Sequence, residues 1–321
     1  MSYGANVSTI AVIGSGYMGG GIAMVFALGG HVVTLADADA SIAERARVRL
    51  TGEADEFESQ GLLDVGSAQK VRENLVAATS IERAVTVADY ITEAVPERVE
   101  LKMDILRQIS GAARVDAIIA TNTSAIPISE LATVVTNAER FLGVHWMNPA
   151  PFIPGVELIP GPATTSRTLD IANSLMRSVG KIPVCVADTP GFVANRLQFA
   201  LFKEALRIVE EGTATPEQID VVVSNTFGFR LALFGPFAIG DMAGLDVYES
   251  SFRSLENAYG DRFSVPPSLA ATVAKGNLGL KSGKGILDID IADHNSLRAY
   301  RARAYARLSQ LRAELGKAPG L

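Results

Sequence analysis

The sequence predicts an α/β fold, a doubly wound sheet followed by an all-helical C-terminal domain. Three observations carry that expectation. Short β-rich apolar runs alternate with helical patterns through the first 190 residues, a glycine-rich turn follows the first run, and beyond Pro190 the β-runs cease. At roughly 100–200 residues per domain, the 321 residues divide into two domains, 1–188 and 189–321.

The apolar runs are Ser8–Ile13, His31–Ala36, Asp89–Glu93, Ala117–Thr121, Phe141–Trp146, Val156–Pro160 and Ile182–Ala187. Alternating with helical patterns, they read as strands of a parallel sheet joined by crossover helices. Directly after the first run, Gly14-Ser15-Gly16-Tyr17-Met18-Gly19 opens a helical pattern. Gly14 permits a tight turn, Gly16 lets the backbone approach a pyrophosphate and Gly19 lets helix and strand pack closely; Tyr17 and Met18 complete the cradle. The helix N-terminus offers free N–H groups and a positive dipole end to the anion. Asp37 ends the second run, where a carboxylate accepts hydrogen bonds from an adenosine ribose and repels a 2′-phosphate. Neither Ala38 nor Asp39 supplies a compensating cation. The first domain therefore reads as Rossmann-type, with NAD preferred over NADP; the bland alternative for Asp37 is a cap on the next helix.

Beyond the boundary, Phe192–Glu211 places Val193, Leu197, Leu201, Ala205 and Ile208 on one helical face, and Gly212 supplies a left-handed stop. Thr215-Pro216-Glu217-Gln218 has the form of a capping box with proline at the first helical position. The tail, roughly Asp293–Leu315, aligns Leu297, Tyr300, Ala304, Leu308, Leu311 and Leu315, with Arg298, Arg301, Arg303, Arg307 and Arg312 mostly elsewhere. It reads as a solvated helix packing its apolar stripe on the body or on a partner subunit.

With 48% apolar and 20% charged residues the chain has material for a core, which sets aside disorder. Its 29 basic and 35 acidic side chains give a net charge of −6, unsuited to a nucleic-acid or membrane surface. Cys185 is the sole cysteine and no Cys/His cluster has metal-ligand spacing, so neither an intrachain disulfide nor a metal is expected and a cytoplasmic location fits. Met1 to Ile10 lacks the pattern of a secretory leader, and no apolar run approaches the roughly 18 residues of a membrane helix. An unprocessed chain is the expectation.

Removing hydride from a carbinol carbon requires a base for the hydroxyl proton, poised near neutral pH. The chain has three histidines. His31 opens the second run and His294 begins the tail helix, which leaves His145 at the end of the run from Phe141. Glu157 starts the next run after the proline-rich loop Asn148–Gly155. Adjoining strand ends would set that carboxylate on the imidazole and fix its tautomer.

These residues belong to a longer series of motifs: VIGSGYMG, EAVPE (Glu93–Glu97), TNTS (Thr121–Ser124), GVHWMNPAP with glutamate at 157, DTPGFVANR (Asp188–Arg196) and LKSGKG (Leu280–Gly285). In this order and spacing they resemble the NAD-dependent 3-hydroxyacyl-CoA dehydrogenase family, over about Thr9 to Leu287. The resemblance implies His145 as general base, Glu157 as its partner, Ser124 on the substrate oxygen and Asn195 holding the developing carbonyl. It further implies that Glu97, Lys102, Ser124, Asn148 and Lys281 contact NAD, and that the protein is a homodimer through its helical domain, with the reaction between the domains.

Two stretches depart from the acyl-CoA pattern. Thr51–Gln60 reads TGEADEFESQ, whose Glu53, Asp55, Glu56 and Glu58 would repel the phosphates of CoA. Arg45, Arg47, Arg49, Lys70 and Arg72 flank it, so a displaced CoA site stays open. Asn225–Tyr248 is longer between its Gly-Phe and Gly-Pro elements than that pattern, and with Phe152-Ile153-Pro154 it resembles members acting on free small acids, such as the dehydrogenases of pyridoxine breakdown. Arg230 is then a candidate clamp for a substrate carboxylate, its alternative being a salt bridge within the domain. The substrate expected is thus a small free hydroxy acid, with an L-3-hydroxyacyl-CoA as the alternative. Two rivals remain: a dehydrogenase using a helical lysine, Lys203, as in the β-hydroxyacid dehydrogenases that resemble 6-phosphogluconate dehydrogenase, and a non-catalytic NAD-binding protein.

Overall fold

A computed structural model describes residues 9–320. Ser8, the start of the first apolar run, and most of the segment read for a leader lie outside the described residues. Eight strands form one sheet: β1 (Thr9–Ile13), β2 (Val32–Ala36), β3 (Leu75–Ala77), β4 (Tyr90–Glu93), β5 (Ile118–Thr121), β6 (Phe141–Trp146), β7 (Gly155–Pro160) and β8 (Ile182–Cys185). The helices of this half are α1 (Tyr17–Leu28), α2 (Ala40–Ser59), α3 (Ser67–Asn74), α4 (Ile81–Val85), α5 (Val99–Ala112), α6 (Ile128–Leu131) and α7 (Ser166–Ser178). After them come α8 (Ala194–Glu210), α9 (Pro216–Asn225), α10 (Phe227–Leu231), α11 (Pro236–Ala243), α12 (Leu245–Tyr259), α13 (Pro267–Ala274) and α14 (His294–Leu315).

The strand order is β3-β2-β1-β4-β5-β6-β7-β8, so the chain winds outward in both directions from β1. Alternate side chains of one strand enter opposite layers. Ile10 and Val12 join an apolar cluster with Phe26, Leu50, Leu142 and Met176, while Ala11 and Ile13 join another with Ile91, Leu106, Ile119 and Ile128. Near-continuous apolar strands are what a sheet covered on both faces needs.

Two features differ from the sequence reading. β3 is absent from it, since three residues give no period to detect. The sheet is also not wholly parallel: β7 pairs antiparallel with β6, and β8 runs parallel to β7. Only residues 147–154 join β6 to β7. A parallel crossover needs a dozen or more residues, so this connection returns as a hairpin.

The chain divides into two compact units between Phe202 and Lys203, inside α8 and downstream of the expected boundary at 188/189. The reason is local, because the first turns of α8 are hydrogen-bonded to β7 and to the loop after β5. That helix begins at Ala194 rather than Phe192, as Gly191 and Phe192 both take positive φ (74° and 50°).

Within the second unit, Thr215 and Gln218 form the expected capping box on α9. α14 meets the body of this unit through ring contacts of Tyr300, from the expected stripe, and Tyr305, outside it, with Phe234, and of Tyr305 with Phe229, while Leu311 and Leu315 of the stripe are exposed. Asp241, 1% exposed, accepts through its carboxylate from the backbone N–H groups of Ile286 and Leu287, directly after the LKSGKG segment, and through its carbonyl from the N–H of Leu280 at the segment's start. No described helix is long and apolar enough to cross a membrane.

Candidate active site

Every parallel strand of the sheet's centre ends on the same edge, and backbone bonds stitch those ends together: Gly14 N–H to Ala36, Ala94 N–H to Ile13, Asn122 N–H to Glu93. Such an edge, at the reversal of strand order beside β1, is where doubly wound sheets hold ligands. The glycine turn lies there. Gly14 has φ +95° and a Cβ on it would meet the Ala94 and Val95 backbone at 2.8 Å; a Cβ on Gly19 would lie 1.8 Å from the Gly14 carbonyl oxygen. Both must be glycine. A Cβ on Gly16 would meet nothing within 4 Å, and no side chain caps α1. That combination leaves the first-turn N–H groups of α1 facing open space, a cradle suited to a pyrophosphate.

Asp37 closes the other end of the cradle. Its Oδ2 accepts from the Ser15 N–H (2.6 Å) and Ser15 hydroxyl (2.7 Å), and its Oδ1 from the Ala38 N–H. Asp39, not Asp37, caps α2, by accepting from Ser41. The bland alternative for Asp37 therefore falls away, and the residues present fit a dinucleotide with free ribose hydroxyls.

Across the sheet, His145 on β6 and Glu157 on β7 are register partners of the antiparallel pair. Side chains of directly opposed residues share a face. His145 Nδ1 and Glu157 Oε2 are 2.8 Å apart, in side chains 5% and 10% exposed. A carboxylate only accepts, so the neutral imidazole carries its proton on Nδ1 and keeps the Nε2 lone pair. Glu157 Oε1 accepts from the N–H groups of Val193 (3.0 Å) and Ala194 (2.9 Å). The negative charge thus sits at the N-terminus of α8, where the helix dipole favours it. Phe192, 1% exposed, lays its ring 5.6 Å from that of His145.

The same helix start brings in Asn195, whose Nδ2 donates to the Ser124 carbonyl at 2.8 Å. Ser124 is held from the other side by Glu97: Oε1 accepts from the Thr123 hydroxyl (2.6 Å) and from the N–H groups of Ser124 (2.7 Å) and Ala125 (3.1 Å). Burial pushes the Glu97 carboxyl up, but Thr123, Lys102 and the two N–H groups outweigh it and the net shift is downward.

Lys102 is 1% exposed; its ammonium reaches Glu93 Oε1 (2.8 Å), the Val95 carbonyl (3.1 Å) and Glu97 Oε2 (3.3 Å). Glu93 also accepts from Thr121 at 2.6 Å. Lys102 is thus buried among its partners, of which Glu97 is the partly exposed one. Asn148 is exposed at the start of the loop after β6, with no side-chain hydrogen bond among the described residues.

Lys281 and Arg230 belong to the second unit. There Lys281 is paired with Asp246, whose carboxyl it holds below its usual value. Arg230, half-buried on α10, has no ion pair or side-chain hydrogen bond among the described residues. The salt bridge weighed as its alternative is therefore not found.

Sequence reasoning missed the supporting residues. Asp188 accepts from the N–H groups of Ile128 (2.8 Å) and Ser129 (2.7 Å), Asn122 accepts from the Trp146 N–H (2.9 Å), and Glu93, Thr121 and Phe192 act as above. Each lies inside a quoted motif, but a bond to backbone far along the chain leaves no periodic signal.

A dinucleotide cradle and a buried histidine–glutamate pair at the ends of one sheet define a nicotinamide-dependent oxidoreductase. The chain matches the 3-hydroxyacyl-CoA dehydrogenase NAD-binding domain over residues 9–189 and the 3-hydroxyacyl-CoA dehydrogenase C-terminal domain over residues 191–289. It belongs to the 3-hydroxyacyl-CoA dehydrogenase family, as the motifs imply, and is an NAD-dependent enzyme acting on CH–OH groups. Among relatives, it is 38% identical to a 5-formyl-3-hydroxy-2-methylpyridine 4-carboxylate 5-dehydrogenase of Mesorhizobium japonicum, over 92% of this chain and 96% of that one. It is 32% identical to a 3-hydroxybutyryl-CoA dehydrogenase of Clostridioides difficile, over 87% and 98%. A crystal structure of a 5-formyl-3-hydroxy-2-methylpyridine 4-carboxylic acid 5-dehydrogenase, described as an NAD+-dependent dismutase, superposes with a TM-score of 0.72 at 36% identity, over 97% and 100%.

Proposed function

We propose that the protein interconverts an alcohol and a carbonyl on a small free hydroxy acid, with His145 as general base. The observation that carries this reading is the 2.8 Å contact between His145 Nδ1 and Glu157. NAD, when bound, supplies the hydride acceptor. In the oxidative direction His145 Nε2 takes the hydroxyl proton, and Glu157, anchored on the start of α8, stabilises the imidazolium and keeps the ring oriented. The Ser124 hydroxyl and the remaining Asn195 amide hydrogen donate to the substrate oxygen. General-base assistance of this kind contributes roughly 10²–10⁴-fold. Gly14, Gly16, Tyr17, Met18, Gly19 and Asp37 would hold the pyrophosphate and adenosine ribose, and Glu97, Asn148 and Lys281 the nicotinamide half.

Charge around α2 supports a free acid over a thioester. Its acidic stretch stands, and three of the five flanking cations are ion-paired, Arg47 with Glu44, Arg49 with Glu53 and Arg72 with Asp55; Arg45 bonds the Ser41 hydroxyl, and Lys70 has no side-chain partner among the described residues. Arg230 is free among the described residues to pair bidentately with a carboxylate. The relative that acts on a pyridine carboxylate points the same way, whereas the 3-hydroxybutyryl-CoA relative favours the thioester as second reading. A homodimer is part of the proposal, supported by exposed Leu197, Leu201 and Leu206 on α8.

The test is NADH oxidation with acetoacetyl-CoA, acetoacetate and heteroaromatic aldehyde acids, on wild type and His145→Gln. A free acid should be turned over best and the variant should lose turnover while binding NADH. A large preference for acetoacetyl-CoA refutes the free-acid assignment; near-normal turnover by the variant refutes the base.

A further inference from the structure

The loop at residues 147–154 follows Trp146, the last residue of β6 and the neighbour of His145, and carries Asn148. Its middle is a turn in which the N–H groups of Phe152 and Ile153 both donate to the Pro149 carbonyl at 3.1 Å. The turn rests on α1 behind the glycine cradle: a Cβ on Gly21 would lie 3.2 Å from Ala150 Cβ and 3.3 Å from Pro151 Cδ. Carbonyls of the turn need donors where they are buried, as at Ala150, because a buried carbonyl without one is costly.

Lys181 supplies them. It enters from the turn between α7 and β8, is 6% exposed, and donates from Nζ to the carbonyls of Ala150 (2.5 Å) and Ile153 (2.8 Å). The ammonium also lies 5.6 Å from the ring centroid of Trp146, next to His145 in sequence. No carboxylate pairs with it among the described residues, and burial lowers its pKa. A lysine buried without an acid is unusual. A neutral side chain would avoid that cost; what the ammonium has in exchange is the two carbonyls it holds and the face of Trp146. A solvent-open cavity of about 360 Å³, lined by Pro151, Phe152, Val25, Leu28, Val179 and Lys181 itself, lies beside the turn.

We propose that Lys181 is a positioning residue for the dehydrogenase reaction: it latches the 147–154 turn against α1 and so sets Asn148 and the end of β6 relative to the dinucleotide cradle. This rests on the reading of the β6 end as the reacting edge, and its test is chosen to fail separately. Lys181→Met keeps the aliphatic stem and removes the donors; Lys181→Ala also opens a space, adjoining the cavity, into which a propylammonium ion fits.

The measurements are the Kd for NADH by fluorescence, amide hydrogen exchange at Phe152 and Ile153, and the thermal midpoint. Lys181→Met should bind NADH about tenfold more weakly, equivalent to about 1.4 kcal/mol. Both amides should exchange faster. Propylammonium at millimolar concentration should recover affinity in Lys181→Ala and do nothing for wild type. Wild-type NADH affinity and exchange in Lys181→Met would overturn the proposal. So would weakened binding that follows a fall in thermal midpoint and does not respond to the amine. Neither result bears on whether His145→Gln retains turnover, which tests the base alone.

Discussion

Replacing Glu157 with Gln tests the mechanism more sharply than removing the histidine, because it changes hydrogen-bond direction and leaves volume nearly intact. The carboxylate accepts three bonds, one from His145 Nδ1 at 2.8 Å and two from Val193 and Ala194 at 3.0 and 2.9 Å. An amide has one oxygen and one NH2 group. The two N–H groups of the helix start can only donate, so the amide oxygen is drawn to them. Its NH2 then faces Nδ1, and the imidazole must move its proton to Nε2, the atom assigned to abstraction. The imidazolium also loses its counter-charge. A carboxylate-to-amide exchange beside a catalytic histidine costs of order 10⁴-fold in kcat when it traps the wrong tautomer, and general-base loss alone roughly 10²–10⁴-fold. We therefore expect kcat to fall by about 10³–10⁴, with the NADH Kd within about threefold, since the cradle residues are untouched. Single-turnover NADH oxidation gives the rate and fluorescence titration the Kd, with thermal unfolding as control. Turnover within tenfold of wild type, in a variant folded as wild type, would refute the tautomer argument.

Two further predictions concern the cofactor half. Asp37→Ser should weaken NAD and raise the relative affinity for NADP, because the carboxylate repels a 2′-phosphate; paired dissociation constants measure it, and an unchanged ratio places the ribose elsewhere. Glu97 has a carboxyl held below its ordinary value despite burial. Its contribution to stability is thus fully present above the ordinary carboxylate pKa of about 4.3 and lost as pH falls through the lower folded value. The gap in thermal midpoint between wild type and Glu97→Gln should be constant at and above pH 6 and narrow as pH falls below the ordinary carboxylate value; a gap that does not narrow argues against the shift.

How much of this was legible in sequence depended on whether a residue's task is local. The glycine turn is read from six consecutive residues because Gly14 and Gly19 are constrained by neighbours their own turn creates. The capping box on α9 is equally local. Seven of the eight strands show as apolar runs, whereas β3, three residues long, does not. The hairpin of β6 and β7 was hidden inside an otherwise parallel rhythm, although the length of its connection contained the answer. Asp188, Glu93 and Lys181 were invisible for a different reason. Their partners are backbone groups or side chains brought near by the fold, and nothing in spacing announces which carbonyl a lysine will hold. Lys102 and Glu97 were named as cofactor contacts through the resemblance, but their burial and mutual pairing could only come from structure.

The antiparallel turn in the sheet explains why the proposed base and its orienter can be so well buried without a long-range search for each other. In a parallel sheet, consecutive strands are separated by a crossover helix, and two side chains meeting at their ends must be placed by separate connections. Here register alone sets His145 opposite Glu157. The hairpin needs only eight residues, 147–154, and those residues form the turn that Lys181 holds against α1. Glu157 in turn has an oxygen left over, and it goes to the first N–H groups of α8, the helix that carries Asn195 toward Ser124. One reversal of strand direction thus joins His145, Glu157, Asn195 and, through the 147–154 turn, α1 within a single unit, the residues to which the proposal gives the roles of base, orienter and carbonyl-binding amide.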